Sequence, residues 1–303
     1  MKPFETAAAG VPRWRIWWLA VRPATLSISA VPVLVGAALA WRELGRLLWT
    51  PFALAALGAL LIQIGTNLYN DVGDFERGAD RAERLGPPRA VSSGWLAPGE
   101  VRVAAALAFG AATLVGAWLV RYGGWPILAL GVASIAAGYA YTGGPRPIAY
   151  GATGELFVFA FFGLGAVLGT YYLQTGGVGW AAATAAAMIG MLAAAVIVVN
   201  NYRDLEGDRS VGKRTLAVSI GRGWSKVEFG LLIAVPYALL PLLAAATTAG
   251  WSLVLPAASA PIATWIVTRF ALERPGPQFN RILADTAQLQ FAFGCLLAVA
   301  FLL

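Results

Sequence analysis

The chain is 303 residues long, 59% apolar and only 12% charged, with a mean hydropathy of +0.69 and a net charge of +7. Soluble domains carry about 25% charged residues, so this balance excludes an ordinary water-soluble globule and points to a bilayer as solvent. The absence of histidine excludes an imidazole base and any zinc, haem or His-carboxylate iron centre, and a single cysteine, Cys295, excludes an internal disulfide framework.

The chain opens on MKPFETAAAGVPRWRIWW, which has no apolar core followed by a small-residue cleavage site. Residues 1–20 are therefore expected to form an N-terminal cytoplasmic segment, not a cleaved signal peptide. A membrane span needs roughly 20 mostly apolar residues. Nine segments qualify in turn: 24–41, 51–70, 101–120, 125–141, 154–173, 180–202, 228–249, 251–270 and 286–303. The pattern predicts an all-α membrane protein with one integral-membrane unit over 1–303. Several segments are rich in Ala and Gly, which suits close helix packing in lipid, as at Gly165 and Gly169, one turn apart.

Threading nine spans from an inside N-terminus places nineteen of the 22 Lys and Arg on the inside. Only Arg42, Arg46 and Arg121 fall outside. That asymmetry supports a cytoplasmic N-terminus by the positive-inside rule. The positive charge is thereby spent on orientation, on anionic lipid or on an anionic substrate, and does not point to nucleic acid.

The acids are more concentrated. Of 15 Asp and Glu, five lie between Asp71 and Glu83 and three between Asp204 and Asp208, at the inside ends of the second and sixth predicted spans. The recurrence four spans apart hints at two similar four-helix halves. On a helix, Asn67 with Asp71, Asn70 with Asp74, and Asp204 with Asp208 are each i,i+4 and share a face. A carboxylate near the membrane centre costs about 2.5–3.5 kcal/mol, so such clusters at a bilayer face call for water, a cation or a partner. Hard oxygen ligands without His or Cys suit Mg²⁺, which binds through one or two carboxylates plus substrate phosphates. Bases accompany both windows: Arg77, Arg81, Arg84 and Arg89 at the first, Arg203, Arg209, Lys213 and Arg214 at the second. The bland alternative is a pair of solvated loops with local ion pairs.

With these residues in view, the chain resembles the UbiA-type intramembrane aromatic prenyltransferases, and among them the 1,4-dihydroxy-2-naphthoate polyprenyltransferases of menaquinone synthesis. The likeness covers nearly the whole chain. It rests on RPATL (22–26), NDVGDFERGAD (70–80), ERLGPPRAVSSG (83–94), YTGGPRPIAYGATGELFVFAFFG (141–163) and NNYRDLEGDRSVGKRTLAVSIG (200–221). In the general family pattern a third acid follows the second by four residues. Here Gly78 holds that place and the next acid is Asp80, a shift that naphthoate-type members share.

The resemblance implies nine helices around a central cavity opening laterally to lipid, with a polar cap over the cytoplasmic mouth, in the cell (inner) membrane. It implies Mg²⁺, a polyprenyl diphosphate donor and an aromatic acceptor. Asn67, Asn70, Asp71 and Asp74 would hold one metal, and Asp204 and Asp208 a second. Arg77, Arg84, Arg89, Lys213 and Arg214 would help to clamp the diphosphate, with Asp80 and Asn200 on the substrate side. Tyr139, Tyr141 and the Phe157–Phe162 run could shield an allyl cation, the Phe residues equally by simple packing. Arg22 and Arg146 could pair with the acceptor's carboxylate or merely flank the spans. Glu155, an acid at the start of a span, could act as a base or orient one of these arginines. Rival readings are a related enzyme using 4-hydroxybenzoate, homogentisate or a haem or chlorin, an ion-coupled transporter, and a purely structural subunit. A transporter would place its acids at mid-membrane in broken helices.

Overall fold

The structure, a computed structural model, describes residues 12–80 and 85–303, and every regular element among them is helical. Helix α1 (Arg13–Val21) lies within and just beyond the segment expected only as an N-terminal stretch. Its end is set by Arg22, the sole non-glycine described residue with a positive φ (56°). Pro23 then opens α2 (Pro23–Leu44) at a first-turn position where a missing N–H costs nothing. Helix α3 (Trp49–Glu76) returns across the molecule and ends in the first acidic window.

Among the described residues eight helices are long and apolar enough to cross a bilayer, against the nine expected. The difference arises because segments 101–120 and 125–141 lie on one continuous element, α4 (Pro98–Ala140). At 1.5 Å per residue, 43 residues would run about 65 Å, twice a bilayer's hydrocarbon core. Gly124 prevents that: its φ of 60° and ψ of −149° are outside the helical region and open to glycine above all. A Cβ on Gly138 would stand 3.3 Å from the ring of Phe109. Along a straight helix those residues would be about 44 Å apart, so α4 doubles back at Gly124 into two packed arms.

The chain then passes through a 3₁₀ turn (Ile148–Tyr150) and α5 (Gly154–Val158). A π-helical stretch (Phe159–Leu168) carries α5 into α6 (Gly169–Thr175). Helix α7 (Trp180–Ser210) ends in the second acidic window. Helices α8 (Leu216–Ala238), α9 (Leu240–Ala246), α10 (Ala260–Leu272) and α11 (Phe279–Leu302) complete the bundle. Exposed Trp49, Trp125, Trp180 and Trp251 stand at helix ends on the face opposite the acidic windows, where an interfacial aromatic belt belongs. Arg42, Arg46 and Arg121 lie toward that same far face, on the end of α2, just after it, and beside the Gly124 bend.

Helix α7 is the most buried of the eight, and its Ala-rich first half lets α8, α11 and the π-helical stretch pack against it. Lipid tails are as apolar as leucine, so such contacts are held by packing and not by expulsion of water. The π-helical stretch crosses α7 closely at Gly163 and Gly190, where a Cβ on either would fall within 3.0 Å of the other's backbone. Gly165 and Gly169, expected to serve close helix packing, form the notch that receives Leu130 from the second arm of α4. At the acid-bearing end of α7, Tyr202 stacks on Phe279 (5.3 Å) and packs on Phe270 (4.6 Å), fixing that end to α10 and α11.

Gly190→Val would push a branched side chain into the carbonyl of Phe159 and is expected to destabilise the fold by about 1–3 kcal/mol. A thermal melt in detergent should show it as a lowered midpoint. Gly110→Ala, where a Cβ meets nothing within 4 Å, serves as the control and should leave the midpoint in place.

Candidate active site

The last three turns of α3 carry the first window, and each of its polar side chains has an assigned partner. Asn67 donates through Nδ2 to the carbonyl of Val21 and to Thr25 Oγ1, both at 2.8 Å, and so ties α3 to the α1–α2 junction. Asn70 accepts from Thr142 Oγ1 at 2.8 Å. Asp71 accepts from the backbone N–H groups of Ala90 (3.0 Å) and Val91 (3.3 Å), holding the loop that follows the window. Asp74 accepts from the Tyr150 hydroxyl at 3.0 Å and pairs with Arg89 Nη1 at 2.8 Å.

Arg89 is the hub of this end. Its guanidinium also meets Asp80 Oδ1 at 3.2 Å and donates to the carbonyl of Asn70 at 2.9 Å. Burial alone would lower the guanidinium's pKa, but the carboxylates of Asp74, Asp80 and Asp71 outweigh it and hold the pKa above its ordinary value. Asp80, two residues beyond the general family position, thus reaches the same cluster as Asp74.

The second window meets the first. Lys213 Nζ stands 3.8 Å from Asp74 Oδ1 and 3.6 Å from Asp208 Oδ1, with its ammonium 4.5 Å from the centre of the Tyr150 ring. One cation thereby joins the ends of α3 and α7. Asp204 is held by Arg203 in a two-point pair of 2.8 and 2.6 Å. Arg203 extends to Asn200 Oδ1 (2.8 Å) and Asn280 Oδ1 (2.6 Å), and Asn280 in turn donates to the carbonyl of Leu85. The loop after the first window is therefore latched from both halves of the molecule.

These carboxylates open onto a cavity of about 1270 Å³. Asn67, Asn70, Asp71, Asp74, Asp80, Arg89, Asn200, Asp204, Asp208 and Lys213 line its mouth together with Arg22 and Tyr141. Deeper, the walls become apolar, down to Ala55, Leu119, Ile127 and Leu173 near the far face. A phenol is neutral near pH 7, so the Tyr141 hydroxyl on this wall is a donor and not a phenolate.

Other candidates lie off this chamber. Tyr139 is 48% exposed and packs on Tyr69 at 4.8 Å, turned away from the wall that Tyr141 forms. Arg146 and Arg214 are exposed; Arg214 meets the neighbouring turn only through its backbone N–H, to the carbonyl of Tyr150. Arg77 is exposed at the rim, bonded to the Gly144 carbonyl and 5.6 Å from the Tyr150 ring. Glu155 is buried behind the wall, accepting from Asn201. Arg84 lies outside the described residues. Sequence reasoning missed Tyr150, Thr142 and Asn280, and gave Arg203 no role. Arg203 had entered only as one of the bases accompanying the second window.

Among the described residues no three acids stand close enough to form a metal cage of their own. The donor set nonetheless fits Mg²⁺, which completes its shell with water and substrate phosphate instead of an all-protein cage. Asp74 and Asp208 converge on one cation, and Asp71, with about four lone-pair sites, keeps capacity beyond the two N–H bonds it accepts.

A model described as the UbiA prenyltransferase family matches residues 29–300. The chain is 36% identical over 288 residues to the 1,4-dihydroxy-2-naphthoate octaprenyltransferase of Mycobacterium tuberculosis, covering 94% of this chain and 97% of that one. It is 31% identical over 297 residues to the Haemophilus influenzae protein of the same name, covering 95% and 96%. Among solved structures, a UbiA homolog from Archaeoglobus fulgidus bound to DMAPP and Mg²⁺ matches with a TM-score of 0.67 at 16% identity, over 93% of this chain and 99% of that one. At that identity the likeness is one of fold.

Removing the buried hub should be costly. Arg89→Ala leaves Asp74 and Asp80 without their counter-charge and is expected to destabilise the protein by about 3–5 kcal/mol. Adding Asp80→Asn should recover part of that loss in a double-mutant melt. An Arg89→Ala protein that melts like the parent would show that water already screens the pair.

Proposed function

We propose that the chain, which belongs to the UbiA prenyltransferase family, transfers a polyprenyl group from polyprenyl diphosphate to 1,4-dihydroxy-2-naphthoate, releasing diphosphate and CO₂ and giving demethylmenaquinol. The observation that carries this reading is Lys213 standing between Asp74 and Asp208, which places both acidic windows at the mouth of one apolar chamber. Support for the acceptor comes from relatives of that name that align with nearly all of the chain.

Asp71, Asp74, Asp204 and Asp208, with Asn67 and Asn70, would hold Mg²⁺, which when bound supplies positive charge to the diphosphate oxygens. Arg89 and Lys213 lie inside the mouth and add fixed positive charge there; Arg77 and Arg214 add theirs from the rim. The prenyl C–O bond breaks and its electron pair leaves with the diphosphate. Stabilising that leaving charge is the main catalytic task. The allylic carbon then bonds to the ring carbon bearing the carboxylate. The electrons of the ring–carboxylate bond return to the ring as CO₂ departs, so atoms and charge balance. Arg22 holds the acceptor's carboxylate at the chamber mouth, and Tyr141, a neutral phenol, faces the reacting carbons without competing for the cation. The apolar walls exclude the water that would otherwise capture it.

In the membrane the two arms of α4 count as separate crossings, making nine. The N-terminus and both acidic windows face the cytoplasm of a cell (inner) membrane, with the 85–97 loop as part of a polar cap.

Purified protein given 1,4-dihydroxy-2-naphthoate, a long prenyl diphosphate and Mg²⁺ should form prenylated product with one CO₂ per turnover, and EDTA should abolish it. Asp74→Ala and Asp208→Ala should each lower kcat at least about a hundredfold. No product from the parent protein under any of these conditions would remove the naphthoate assignment.

A further inference from the structure

Asn201 stands on α7 beside the second acidic window, is 9% exposed and lines the chamber. Its side-chain amide is fixed from behind. Nδ2 donates to Glu155 Oε1 at 2.7 Å, and Glu155 itself is only 6% exposed, in the first turn of α5. Glu155 Oε2 is buried without a hydrogen-bond partner. A carboxylate is an acceptor only, and a proton carried on Oε2 would leave Oε1 an acceptor still. Flipping the amide would therefore set two oxygens against each other at hydrogen-bond distance. With no proton on Oε1, the flip that is ambiguous for most asparagines is fixed here as Nδ2 toward Glu155. Asn201 is left with its carbonyl oxygen, Oδ1, for the chamber.

The neighbouring wall matches. The Tyr141 hydroxyl lies 4.0 Å from the place a Cβ on Gly154 would occupy, over the same first turn of α5 that carries Glu155. Arg22 lines the same mouth. One stretch of wall thus offers a fixed acceptor, a phenolic donor and a guanidinium. A site of apolar walls with a few placed polar groups fixes its ligand's orientation through those groups.

We infer that Asn201 Oδ1 receives a ring hydroxyl of the aromatic acceptor, and that Glu155 is the positioning residue that holds the Asn201 amide in the orientation this requires. The inference rests on the proposed function for the identity of the acceptor. It gives Glu155 a role other than that of a base, and it gives the chamber a means of telling a hydroxylated arene from one without hydroxyls. A site built around a substrate hydroxyl rejects the analogue lacking it, because the site's own polar group is left unpaired.

The test uses the full chain in detergent and measures the Kd of 1,4-dihydroxy-2-naphthoate and of 2-naphthoate by tryptophan quenching, with KM and kcat alongside. The parent should bind the dihydroxy compound at least about tenfold more tightly than 2-naphthoate, and Asn201→Leu should reduce that preference to less than about threefold. The KM for the prenyl diphosphate should be unmoved. Glu155→Leu should behave like Asn201→Leu, while Glu155→Gln, whose amide oxygen can still accept from Nδ2, should rescue the lost affinity. The Glu155 pair keeps the test decisive if Asn201→Leu fails to fold. An unchanged preference in Asn201→Leu or Glu155→Leu would overturn the inference. So would a Glu155→Gln protein with normal acceptor binding and abolished kcat, the behaviour of a lost base. A parent that forms no product would instead sink the proposed reaction, and the binding preferences would still decide the roles of Asn201 and Glu155.

Discussion

Carboxylates at the edge of a bilayer are tolerable only if something neutralises them, and in this chain that something is supplied by loops folding back over the helix ends. Asp74 is 5% exposed yet lies within ion-pair distance of both Arg89 and Lys213. Arg89 comes from the loop after α3, Lys213 from the turn after α7. Each loop returns because the acid of its own helix, or of the opposite one, needs its charge. The joining of the two windows through Lys213 is therefore an electrostatic consequence of where the acids sit, and the chamber's polar mouth is built as a by-product.

That arrangement suits an anionic, metal-bound ligand. Cations that satisfy carboxylates in its absence can turn to phosphate oxygens when it arrives, so charge remains balanced in both states. Below the mouth the wall is mainly apolar, its Thr113, Ser134 and Thr170 hydroxyls bonded to carbonyls of their own helices, and it runs from the ends of α3 and α7 to Leu119, Ile127 and Leu173. Charge at one end and hydrocarbon along the rest is the profile of a prenyl diphosphate. The acids lie at one face, not at the centre of broken helices as an ion-coupled carrier would have them.

Much of this was legible in the sequence because it depends on local composition. Apolar runs gave the spans, and the bias of Arg and Lys gave one charged face. Asp74 and Asp208 were expected to meet, and they do so through one lysine. What escaped depends on tertiary contact. Apolar runs separated 101–120 from 125–141 but could not say how the two join: the chain turns back at Gly124 through a non-helical φ/ψ, with Pro126 just beyond it. Tyr139 and Tyr141 are two residues apart, and at a helix end that spacing sends them to opposite sides: one to Tyr69, the other into the chamber. Tyr150 is 76 positions from Asp74, and no spacing rule links them. Asn201 was passed over beside Asn200 because only the buried Glu155 distinguishes the two.

The central claim is that both windows together grip one metal-bound diphosphate. Its most direct test is an electron paramagnetic resonance titration of Mn²⁺ into the purified protein with inorganic pyrophosphate as the probe. The account predicts bound Mn²⁺ that depends on pyrophosphate and is weakened by Asp74→Asn and by Asp208→Asn alike. Binding that survives both substitutions, or that is lost through only one window, would contradict it.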